Sequence, residues 1–77
     1  MHKHLSKRSF QGLGERAIAA RAAMGLSQQV AATRAGMSMN RLRDLERYSL
    51  ATTDTLLRLS RVLGVAVDVL TGRRVVP

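Results

Sequence analysis

Between Gly25 and Arg47 the chain reads Gly-Leu-Ser-Gln-Gln-Val-Ala-Ala-Thr-Arg-Ala-Gly-Met-Ser-Met-Asn-Arg-Leu-Arg-Asp-Leu-Glu-Arg, and no other stretch restricts the fold as much. Ser27 and Ser38 each open a helix-forming run, where a hydroxyl oxygen accepts an otherwise unpaired backbone N–H. Gly36 separates the runs, because glycine tolerates the left-handed backbone that ends one helix and turns the chain toward the next. Val30, Ala31, Ala32 and Ala35 supply the inward side of the first run, and small residues there let two helices approach closely. In the second run, which extends through Arg47, Leu42 and Leu45 mark the inward face at about 100° per residue, and Asn40, Arg43, Asp44 and Arg47 point away from it. Met37 plugs the turn from the core side. Two short helices around a glycine turn are expected, the second with an outward edge of arginine and amide groups.

This is the anatomy of a helix-turn-helix, and the flanking sequence extends it into an all-α domain of five helices. Leu13, Ala17, Ala20 and Met24 recur at helical spacing, and Gly25 ends that first helix. Residues 48–53 read as a loop. Thr53 or Asp54 then caps a fourth helix whose Leu56, Leu59, Val62 and Leu63 face the core until Gly64. A last helix is expected over residues 67–71. Residues 1–11 carry Lys3, Lys7 and Arg8 without an apolar period and read as a flexible basic arm. The folded domain then covers residues 12–72 and residues 73–77 form a tail, either frayed or a second arm. The pattern contains no convincing strand, repeat or low-complexity tract.

With 77 residues there is one domain and no room for a separate catalytic one. Cysteine is absent, which removes disulfides and thiolate metal sites and leaves stability to the core or to dimerisation. Apolar runs such as Val65-Ala66-Val67 fall far short of the roughly 20 residues that span a bilayer. A soluble, cytoplasmic, nucleoid-associated protein without a membrane partner is expected. Thirteen Lys and Arg, all but Lys3 and Lys7 being Arg, stand against five Asp and Glu, giving a net charge of +8. That balance points to a polyanion, since guanidinium groups donate two parallel hydrogen bonds to phosphate.

Leu13-Gly14-Glu15-Arg16-Ala17, Arg21, Gly25-Leu26-Ser27-Gln28, Ala32, Gly36-Met37-Ser38, Leu42, Leu45-Glu46-Arg47 and Leu63-Gly64-Val65 together resemble the Xre family. This is the five-helix DNA-binding domain of phage repressors and Cro proteins, and the resemblance spans residues 13–71. It implies a transcriptional regulator of double-stranded DNA, with a repressor role on a palindromic operator. The first residues of helix three then read base edges: Met39 lies on a thymine methyl, Asn40 pairs with adenine and Arg43 with guanine. Asp44 accepts from cytosine N4 or orients an arginine. The backbone phosphates fall to Gln28, which in the family also braces the reading helix, and Gln29 at the N-terminus of helix two, and to Ser38, Arg41 and Arg47. Arg21 and Glu46 match a family pair that forms a salt bridge between helices one and three. Dimerisation is expected through helix five, around Val67, Val69 and Leu70, and the tail at 72–77. No cofactor, metal or catalytic residue is implied.

Two departures from the family stand out. The loop after helix three, Tyr48-Ser49-Leu50-Ala51-Thr52-Thr53, lacks the usual basic residues, which shifts backbone contact toward the N-terminal arm and Arg34, Arg41 and Arg47. Leu50 packs inward or serves an interface. Ala17, Ala20 and Ala31 are smaller than the family's usual Ile or Leu, so the core is expected to be thin.

Other motifs weigh less. Gly12-Leu13-Gly14-Glu15-Arg16-Ala17 satisfies a dinucleotide fingerprint in form but follows a polar arm where that fingerprint needs a strand. His2 and His4 lack further metal ligands, and no serine sits beside a base. The alternative function is an antitoxin whose main partner is a toxin protein. A third is a nonspecific nucleoid binder driven by charge alone, which would lose all preference as salt rises.

Overall fold

The computed structural model describes residues 7–73. A two-residue strand β1 (Arg8–Ser9) precedes helices α1 (Leu13–Ala23), α2 (Gln28–Ala35) and α3 (Met39–Tyr48). A second short strand β2 (Leu50–Ala51) follows, then helices α4 (Thr53–Leu63) and α5 (Val67–Thr71). The helices are where the sequence periodicity puts them, and the fold is all-α apart from the strand pair. That pair corrects the expectation of no strand. Arg8 pairs antiparallel with Ala51 and Ser9 with Leu50, and the Phe10 N–H donates to the Ser49 carbonyl at 3.0 Å. Residues 1–6 of the expected arm, with His2, Lys3 and His4, lie outside the described residues, as do residues 74–77 of the tail. Leu50 is half-buried as a member of β2.

The helix ends follow from local chemistry. Ser27 and Ser38 accept the N–H groups of Val30 and Arg41, each at 3.1 Å. Gly36 closes α2 in the left-handed region at φ 69°. Thr52, one residue before the expected caps Thr53 and Asp54, accepts the Thr55 N–H at 3.1 Å and starts α4. Gly12 precedes α1 without a side-chain acceptor, and the missing cap comes from across the molecule, where the Ser49 hydroxyl accepts the Gly14 N–H.

Leucines from four helices and alanines between them make the core: Leu13, Ala17, Ala31, Ala32, Leu42, Leu45, Ala51, Leu56, Leu59, Leu63 and Leu70. Methyl groups on α2 allow α3 and α4 to pack closely around it. Gly14 is buried, and a Cβ there would overlap the carbonyl oxygen of Glu46, so α1 crosses α3 backbone against backbone. Arg16 on α1 donates from Nε to the Leu70 carbonyl at 2.8 Å and from its guanidinium to the Gln11 carbonyl, fastening the end of α5 to the start of α1.

Three expectations about the core are corrected. Met24 continues the α1 stripe in sequence but is exposed, because the left-handed turn at Gly25 sends Leu26 inward in its place. Val30 is exposed, since Ala31 and Ala35 already occupy the side of α2 that meets α4. Leu70, expected on a dimer surface, is fully buried, and Val67 packs partly against the core, which leaves Val69 as the exposed apolar residue of α5. Among the described residues no helix is long and apolar enough to cross a membrane.

Candidate nucleic-acid interface

Besides the shared apolar core, one carboxylate ties α3 to both α1 and α2. Glu46 on α3 is buried, and three donors from two other helices converge on it. Arg21 of α1 binds both oxygens, Nε at 2.7 Å from Oε2 and a terminal guanidinium nitrogen at 3.0 Å from Oε1. The Gln28 amide, at the N-terminus of α2, donates to Oε1 at 2.7 Å. Arg21 also donates to the Leu26 carbonyl at 3.0 Å, so the same guanidinium fixes the chain between α1 and α2. Bidentate guanidinium–carboxylate geometry constrains orientation as well as distance. The angle of α3 on α1 and α2 is set by this cluster.

With α3 anchored there, the edge of the helix away from Leu42 and Leu45 is presented outward. Asn40, Arg43 and Arg47 are exposed, whereas Met39 and Asp44 are half-buried. Arg43 and Arg47 meet Gln28, Ile18 and Glu46 around an open cleft of about 310 Å³ between α1, α2 and α3. Three residues named from sequence for DNA contact thus share one concave wall. Arg47 also lies over the Tyr48 ring at 5.5 Å from its centroid, a cation–π contact that restrains the guanidinium.

The remaining candidates are dispersed. Gln29 is exposed on α2 beside a shallow depression with Ser27, Val30, Thr33 and Arg34, away from the cleft. Ser38 uses its oxygen as an acceptor in capping α3, which leaves its hydroxyl proton to donate. Arg41 is exposed and 3.9 Å from Asp54, whose carboxylate is bonded more closely by Arg58 at 2.9 Å. Asp44 is bonded by Lys7 Nζ at 2.9 Å. Lys7 belongs to the segment taken as an arm, and nothing in local sequence links two residues 37 positions apart. Ile18 went unnoticed as well. Its place on the cleft wall follows only from the crossing of α1 over α3.

The fold, the glycine turn and the anchored outward edge define a helix-turn-helix domain. The chain belongs to the helix-turn-helix family, in its Xre-type branch of DNA-binding transcription regulators: the family model, described as "Helix-turn-helix", matches residues 18–70. Among solved structures it is similar to "The N-terminal DNA binding domain of SinR from Bacillus subtilis", with 30% sequence identity and a TM-score of 0.73. That likeness covers 77% of this chain and 88% of the other. Comparison with curated proteins gives no match.

Proposed function

We propose that this chain is a non-enzymatic, sequence-specific transcriptional regulator that inserts α3 into the major groove of double-stranded DNA and acts as a repressor. The observation that carries the proposal is the division of α3 between two roles. Glu46 ties the helix to α1 and α2 through three hydrogen bonds, and Asn40, Arg43 and Arg47 stand exposed on the edge beside it, away from Leu42 and Leu45. A major groove about 12 Å wide admits a helix whose outward edge carries such donors. Asn40 then reads adenine, Arg43 guanine, and Met39 a thymine methyl, with Asp44 facing cytosine. Gln28, Gln29, Ser38, Arg41 and Arg47 contact phosphates, where a helix N-terminus and guanidinium groups both favour an anion.

One such unit reads only a few base pairs, so the protein acts as a dimer on a palindrome with half-sites about one helical turn apart. The dimer contact is formed by α5 around exposed Val69 and the residues beyond Gly72. The similarity to a DNA-binding domain of SinR supports this function, as does the net charge of +8.

The test is selection from a pool of random duplexes at two salt concentrations, followed by sequencing of the bound fraction. An enriched palindrome that persists at the higher salt supports the proposal, because base contacts survive when the phosphate contribution is screened. Binding that disappears without enrichment overturns it and leaves a charge-driven binder or an antitoxin.

A further inference from the structure

Asp44 lies on the side of α3 opposite Leu42 and Leu45, beside exposed Asn40, Arg43 and Arg47, and its side chain, 42% exposed, is paired. The group that pairs with it comes from 37 positions earlier in the sequence. Strand β1 pairs with β2 directly after α3, the Phe10 N–H is bonded to Ser49, and Phe10 packs against the core. These three attachments carry the segment around residue 7 alongside α3. Lys7 Nζ then donates to Oδ2 of Asp44 at 2.9 Å, and among the described residues it is the only cation paired with that carboxylate.

A lone carboxylate on an edge offered to DNA is repelled by the phosphates and, if unrestrained, turns away from the groove. We infer that Lys7 is a positioning residue for base recognition: it holds Asp44 by Oδ2 and offsets its charge, so that Oδ1 accepts the exocyclic amine of a cytosine. This inference rests on the function proposed above and adds a specificity-determining pair to it. Cytosine is the base whose major-groove edge donates through N4 and matches an acidic acceptor. The exposed ion pair itself adds little to stability, as is usual for surface pairs. Its value lies in where the carboxylate is kept.

The experiment repeats the duplex selection with the full chain and with Lys7→Met, Lys7→Arg, Asp44→Ala and the double variant Lys7→Met/Asp44→Ala. Thermal melts confirm that each is folded. The wild-type chain is expected to prefer cytosine at one position of each half-site by about tenfold, in line with the cost of a single mismatch. Lys7→Met and Asp44→Ala each abolish that preference while leaving the other positions unchanged. The double variant is no worse than Asp44→Ala, and Lys7→Arg restores the preference. If Lys7→Met instead weakens all duplexes equally, lowers the salt slope by about 1 and leaves base preference intact, Lys7 is a phosphate contact and the inference fails. A wild-type chain that enriches a palindrome without that cytosine also overturns the inference while leaving the proposed function standing. A wild-type chain that enriches nothing overturns both.

Discussion

The hydroxyl of Ser49, the residue that follows α3, accepts the backbone N–H of Gly14 in the first turn of α1 at 2.9 Å. Ser49 itself sits in the left-handed region at φ 58°, which non-glycine residues rarely occupy. One residue therefore ends α3 with its backbone and, with its side chain, caps a helix 35 positions earlier.

Substitution of this residue separates its two tasks. Ser49→Ala keeps the backbone strain and removes the acceptor, and is expected to cost about 1 kcal/mol, a typical loss for a cap. In a domain of this size that lowers the melting temperature by about 4–8 °C. Ser49→Gly also loses the acceptor but relaxes the positive φ, so its melting temperature falls less. A calorimetric comparison checks the order.

Gly14→Ala reverses the usual rule for helices. Alanine in a helix interior is favoured over glycine by about 1 kcal/mol. At this position the added methyl meets the Glu46 carbonyl, which is backbone and cannot swing away. Net destabilisation of about 1–3 kcal/mol is expected from overpacking, read as a lower denaturant midpoint. An unchanged or higher midpoint would show that α1 is free to shift away from α3.

The Glu46 cluster predicts a separation of stability from binding. Arg21→Met leaves a buried carboxylate with Gln28 alone and is expected to cost about 3 kcal/mol or more. Adding Glu46→Leu to the same chain recovers most of that loss, because an apolar pair of similar volume needs no desolvated charge. DNA affinity does not recover, since the bidentate constraint on the angle of α3 is gone. Paired melting and binding titrations distinguish this outcome from one in which the ion pair serves stability alone.

Arg43 and Arg47 share a cleft but are expected to answer differently to truncation. Arg43→Ala weakens the preferred duplex by about 1–3 kcal/mol and relaxes one base position. Arg47→Ala weakens all duplexes to a similar degree and lowers the salt slope by about 1. Titrations of one preferred and one scrambled duplex at several salt concentrations separate the two.

Much of the molecule was legible from short-range pattern. The serine caps of α2 and α3, the glycine turn at Gly36 and the leucine faces of α3 and α4 are decided within a few residues, by hydrogen-bonding groups and by spacing. Arg21 and Glu46 came from family resemblance, and their geometry gave the pair a third member, Gln28. What local pattern could not reveal depends on which distant elements meet. The two glycines of the apparent nucleotide fingerprint have separate uses: Gly12 turns the chain at φ 77° and Gly14 admits α3. Lys7, Phe10 and Ser49 look like arm and loop residues until the strand pair brings them together. Leu70 reads as interface from its place in α5, yet it is fully buried, with its carbonyl bonded by Arg16 of α1.

That closure also bears on chain topology. Gln11 and Leu70 are bound by the same guanidinium, and a Cβ on either Gly12 or Gly72 would strike it. The entry to the first helix and the exit from the last are therefore neighbours in space. A short flexible bridge across this gap would turn the domain into a closed loop of chain that could be cut elsewhere. Gly64, exposed and with open space where a Cβ would stand, offers such a cut between α4 and α5. A circularly permuted chain opened there would retain every interhelical contact, and with them the outward edge of α3.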